Sequence, residues 1–128
     1  MALKSSMRTE RSRISYLGSA RSGTRNLWMM RVTSAALLVL TIAFVIIMLS
    51  LVGKDYNAVR MELSSPLPAI LMLLFILTGI YHMMLGMQAI IEDYVHSSHL
   101  REWAQIANIC FSALVGLSCV YAVLKINF

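Results

Sequence analysis

The chain has 128 residues, of which 59% are hydrophobic and only 13% charged, with a mean hydropathy of +0.73 and a formal net charge of +5. A soluble domain of this size has little core volume in which to hide so much apolar surface, so most soluble readings are excluded. The positive charge would mimic a nucleic-acid footprint if it were spread over a folded face. It lies instead in one N-terminal tract, and no nucleic-acid partner is expected.

That tract comes first in chain order. Seven of the eleven basic residues (Lys4, Arg8, Arg11, Arg13, Arg21, Arg25, Arg31) precede the first apolar run, opposed only by Glu10. Residues 1–26 read as a basic cytoplasmic arm, poorly ordered until something docks on it. The basic residues continue right up to the apolar run, where they serve to orient it. No cleavable signal core is visible. The Arg/Ser-rich start also resembles a mitochondrial transit peptide, which leaves the mitochondrial inner membrane as the alternative to a bacterial inner membrane.

Three apolar runs follow. Val32 to Val52 holds no charged residue over 21 positions, Pro66 to Ile91 none over 26 apart from titratable His82, and Trp103 to Leu124 none over 22. About 20 apolar residues, at about 1.5 Å each, cross a hydrocarbon layer about 30 Å thick. Lipid-exposed backbone must satisfy its own hydrogen bonds, so each run is helical. The expected fold is all-α, an integral membrane up-down-up bundle of three transmembrane helices. Residues 27–124 form its membrane anchor domain, with spans at about 30–52, 66–92 and 103–124. Trp28 lies at the interface of the first span. In "SSPLP", Ser64 or Ser65 can cap the second span, and Pro66 suits its first turn. The positive-inside rule puts the N-terminus in the cytoplasm and the C-terminus in the periplasm.

Cys110 and Cys119 are nine residues apart on the third span. Nine steps of about 100° place them on opposite faces, so they neither pair nor share a metal. Asn108 is the strongest polar group of that span and reads as a contact between helices.

The second span carries the chemistry. His82 lies 16 residues after Pro66 and 12 before Tyr94, at membrane depth and toward the inner side. An ionisable residue there is a candidate functional group, the plain alternative being a neutral histidine bonded to another helix. Its helical face also holds Phe75, Thr78, Gly86, Ala89 and Asp93. The small Gly86 and Ala89 allow close helix packing, and they equally leave room for a flat haem beside an axial histidine. His96 and His99 lie beyond the span, and a Met from another span is the less common choice for a low-spin b haem, so the second ligand of a six-coordinate haem is expected from a partner chain. That points to an obligate hetero-oligomer.

Glu92, Asp93 and Tyr94 end the span. Tyr94 is either a membrane-belt anchor or a donor to a quinone carbonyl, and Asp93 either a solvated helix end or support for such a site. Arg31 either orients the first span or pairs with a haem propionate or a quinone oxygen.

His82, Gly86, Asp93 and Tyr94, in that spacing, resemble the small hydrophobic membrane-anchor subunits of succinate dehydrogenase. The entry to the first span, "GSARSGTRNLWMMRVTSAA" with its Arg-x-Thr start, is similar to bacterial members. The resemblance covers about residues 17 to 124. Many members differ near Arg25, Asn26 and Met30, where they carry a His or acidic residue and a Gln. The resemblance implies a four-subunit enzyme: a flavoprotein subunit that oxidises succinate, an iron–sulfur subunit, and two anchors in the lipid membrane that share haem b and reduce ubiquinone. It implies that His82 is an axial ligand of the haem iron and that Tyr94 bonds the quinone. Asp93 would support the quinone site, with Arg31 near the haem or quinone. A second, cytochrome b-type anchor subunit would supply the other iron ligand, and the basic arm would lie where the iron–sulfur subunit docks.

Two rivals predict other sequences. A cytochrome b anchor of fumarate reductase, a hydrogenase or a formate dehydrogenase would carry more intramembrane histidines. A non-haem structural or ion-conducting subunit would carry a second ionisable residue in the first or third span.

Overall fold

The structure, a computed structural model, describes residues 21–127. The basic arm up to residue 20, and with it the expected docking of the iron–sulfur subunit, lies outside the described residues. Four helices follow in order: α1 Arg21–Leu51, α2 Tyr56–Leu63, α3 Pro66–Tyr94 and α4 Ser98–Asn127. All three long helices have the length and apolarity to cross a membrane. The chain is therefore a multi-pass membrane protein whose regular secondary structure, among the described residues, is all helix.

The long helices overrun the apolar stretches at most ends. Their 31, 29 and 30 residues reach about 45 Å at about 1.5 Å per residue, against about 30 Å of hydrocarbon. The extra turns hold polar residues that headgroups and water can solvate. Consequently only residues 95–97 separate α3 from α4, where the sequence pattern had implied a longer inner loop.

Helix ends follow local chemistry. Beyond α1 the chain reverses at Gly53, whose φ of +80° is the left-handed region that a residue without Cβ enters freely. Pro66 occupies the first turn of α3 and Ser65 its N-cap position, but the Ser65 side chain makes no cap bond. Its hydroxyl turns back to donate to the Glu62 carbonyl at 2.6 Å, satisfying an acceptor at the end of α2 instead. The connection between α1 and α3 thus contains a short helix of its own. Ser50 donates to the Glu62 carboxylate at 2.6 Å and Lys54 pairs with the same carboxylate, tying α2 to the end of α1. The Lys54 hydrogen bond, then that of Ser50, hold the Glu62 carboxyl below its ordinary value.

α3 is the central helix. It packs against α1 on one side and α4 on the other, while α1 and α4 scarcely touch. Cross-helix pairs run in opposite directions along the chain, so both interfaces are antiparallel. On the α1 side, Thr33 meets His82, Leu37 meets Gly79, and Phe44 stacks on Phe75 with centroids 4.7 Å apart. On the α4 side, Asn108 meets Met84 and Gly116 meets Ile80. Up-down-up topology follows.

Such a layer encloses almost no core. Among the described residues only Ile47, Leu85, Ile91 and Val123 are buried apolar side chains. The remaining apolar surface must face lipid or another chain, because water would not tolerate it.

Candidate functional site

His82 is placed on α3 opposite α1. Its Nδ1 lies 2.8 Å from the Thr33 hydroxyl oxygen, and Thr33 is itself only 9% exposed. The same hydroxyl lies 2.8 Å from the Met29 carbonyl and 3.1 Å from that of Met30. Threonine in an apolar helix commonly satisfies its hydroxyl this way, by donating one turn back. Nε2 has no hydrogen-bond partner among the described residues, and Ser112 Oγ is the one buried unpartnered side-chain atom among them. Nε2 therefore opens at the surface of the half-buried imidazole rather than into the packed interface.

Beneath His82 the surface is bare. A Cβ added at Gly86 would meet nothing within 4 Å, and Ala89 follows one turn on. One available imidazole nitrogen above the open space at Gly86 leaves room for a planar macrocycle. Among the described residues no three His, Cys, Asp or Glu side chains approach closely enough to cage a metal ion. A haem iron would need only one nitrogen from this chain, and the single available imidazole nitrogen fits that requirement better than it fits a free metal centre.

Asp93 and Tyr94 lie at the C-terminal end of α3, both exposed, with Tyr94 77% so. By helical geometry Asp93 is about 16 Å along the axis from His82 and within about 20° of its direction; Tyr94 is about 18 Å along and about 120° round. They are thus separate from the histidine in height. Arg31 is exposed on α1. It stands two residues from Thr33, about 200° round the helix, so the structure does not bring it to the His82 side. A propionate or quinone oxygen that Arg31 served would have to lie beyond α1.

The α3–α4 interface holds polar residues of its own. Asn108 is buried and donates to the Met84 carbonyl at 3.0 Å, the interhelical contact its position implied. Nearer the C-terminal end of α3, Glu92 accepts from Gln88 at 3.0 Å and from Gln105 at 3.4 Å. Sequence reasoning passed over both glutamines. The i, i+4 spacing of Gln88 and Glu92 was the available signal, because such pairs meet on one helix face. It also missed the Thr33–His82 pair, for which the Arg-x-Thr start offered only a hint. Cys110 and Cys119 are free, as their opposite faces required.

Comparison with known proteins adds an independent finding. The profile of the family described as "Succinate dehydrogenase/Fumarate reductase transmembrane subunit" matches residues 5–119. A protein of Rickettsia bellii named succinate dehydrogenase hydrophobic membrane anchor subunit is 35% identical over 106 residues, covering 83% of this chain and 85% of its own. A protein of the same name from Paracoccus denitrificans is 32% identical over 119 residues, covering 93% and 92%. No solved structure matches the chain significantly.

Proposed function

The chain belongs to the succinate dehydrogenase/fumarate reductase transmembrane subunit family, and on that premise we propose that it is the hydrophobic membrane anchor of a succinate dehydrogenase. In this reading it holds a flavoprotein subunit and an iron–sulfur subunit to the bacterial inner membrane. With a second, cytochrome b-type anchor it encloses haem b and forms a ubiquinone-reducing site. The chain has no part in succinate oxidation itself, which belongs to another subunit.

One observation carries the reading most. His82 has Nδ1 engaged, Nε2 available and Gly86 bare beneath it, at membrane depth in a chain with no other intramembrane histidine. Haem b, when bound, supplies a one-electron store within the membrane. His82 Nε2 would give its lone pair to the iron from one side, and the partner anchor would give the other ligand. At the inner interface, the Tyr94 hydroxyl would donate to a quinone carbonyl oxygen. That donor gains strength as the oxygen becomes more negative on reduction, so it favours the reduced side of the reaction. Asp93, next in sequence, would support that site. Arg31, facing away from α3, would serve an acceptor on the partner's side and orient the span.

The uncovered apolar surface supports the partner requirement, since three long helices that bury four apolar side chains among the described residues are not a complete membrane bundle. The test is composition together with activity. An affinity tag on this chain should recover a flavin- and haem-containing complex from native membranes, one that reduces ubiquinone with succinate as donor. Recovery of a haem complex that oxidises hydrogen or formate but not succinate would overturn the proposal.

A further inference from the structure

Thr33 Oγ1 sits between three polar atoms, and only one arrangement of protons suits them all. The hydroxyl has one hydrogen. The Met29 carbonyl, 2.8 Å away, can only accept. Without a proton between them, two oxygens bearing lone pairs would face each other at hydrogen-bond distance in a low-dielectric interior, where unpaired polar contacts are most unfavourable. The proton therefore points from Thr33 back to the helix, toward Met29 with Met30 3.1 Å away. The oxygen is left as an acceptor at 2.8 Å from His82 Nδ1, so that nitrogen must be the donor. A neutral imidazole with its proton on Nδ1 has its lone pair on Nε2.

We propose that Thr33 is the positioning residue for haem ligation: by accepting from Nδ1–H it fixes the tautomer and ring plane of His82, and so aims the Nε2 lone pair out of the bundle. This rests on the reading of His82 as an axial ligand. Outer hydrogen bonds of this kind set the orientation of a ligating histidine and raise its basicity, and their loss lowers metal affinity by about tenfold to 100-fold. The relay from His82 through Thr33 to a backbone carbonyl ties ligand geometry to the α1–α3 contact itself. Val cannot take the place of Thr33 in this respect, although its shape is the same. Ser can, because it retains the hydroxyl.

The experiment uses the whole purified complex carrying Thr33→Val, Thr33→Ser or His82→Ala, with electron paramagnetic resonance of the oxidised haem and potentiometric titration. Thr33→Val should keep haem ligation. It should also change the g-anisotropy that reports ring orientation, move the midpoint potential upward because a less basic imidazole stabilises ferric iron less, and weaken haem retention by about tenfold. Thr33→Ser should restore all three toward wild type, which a packing role for the Thr33 methyl would not do. If Thr33→Val does not assemble, Thr33→Ala is titrated in its place. Wild-type g-values and potential in the hydroxyl-less complex, with His82→Ala still altering the haem signal, would overturn the role of Thr33 alone. An unaltered signal in His82→Ala would overturn the ligation reading beneath it.

Discussion

Thr33 Oγ1 and His82 Nδ1 lie 2.8 Å apart across the α1–α3 interface, although 49 residues separate them in the chain. The contact brings the Arg-x-Thr entry of the first span and the histidine of the second to one height. It makes the histidine part of the helix packing through one ring nitrogen while the other remains available. A satisfied core histidine and a ligand are thus not rival descriptions of His82, because each nitrogen can have its own task.

The α4 side of the bundle gives a stability prediction. The Met84 carbonyl that accepts from Asn108 is also a helical carbonyl within the run of α3. Removing the side chain therefore leaves that acceptor its intrahelical bond. Asn108→Leu should weaken the bundle by about 0.6 kcal/mol and by no more than roughly 1.7 kcal/mol, the range for such bonds in membranes. Unfolding of the purified complex in rising fractions of sodium dodecyl sulfate measures it. A loss of several kcal/mol would mean that Asn108 has a further buried partner.

Topology gives the second prediction. By the positive-inside rule the basic tract before the first span would hold the N-terminus inside, and three crossings would then put Phe128 outside. A reporter fused after Phe128 that is active only in the periplasm should be active. Cytoplasmic-type activity at that point would refute the orientation or the number of crossings.

Tyr94 separates two roles by differential assay. Tyr94→Phe deletes only the hydroxyl, whose proposed bond to a charged or charging quinone oxygen would contribute roughly 1.5–3 kcal/mol, or about tenfold to 150-fold in a limiting rate. Succinate–quinone turnover should fall by that factor while succinate oxidation by a soluble dye, which takes electrons upstream, stays near normal. Two normal activities would make Tyr94 an interfacial anchor, and a joint fall would make it an assembly residue.

How much of this was legible in the sequence depended on which force set each feature. The three spans were, because hydrocarbon thickness and backbone desolvation act on long runs such as Val32 to Val52, whatever packs against them. Helix α2 was not: Tyr56–Leu63 carries Arg60 and Glu62 and reads as loop. Eight residues rarely hold a helix without tertiary help, and here the help comes from Ser50 and Lys54 reaching Glu62 and from Ser65 turning back on it. His82 stood out because an imidazole in an apolar run is conspicuous. Its partner Thr33 did not, since a hydroxyl that bonds its own helix is unremarkable until the register between α1 and α3 is known. What Arg31 meets left no mark in this sequence, because Arg31 is exposed on the side of α1 away from α3 and its partner would belong to another chain.

The most direct test of the account is the haem signal of the complex purified with His82→Ala in this chain. The account predicts that the protein still inserts and assembles, because His82 contributes one hydrogen bond to a long interface. It also predicts that the bis-imidazole paramagnetic signature is lost or replaced, even where haem is retained through the partner's ligand. A bis-imidazole spectrum identical to wild type would contradict the account.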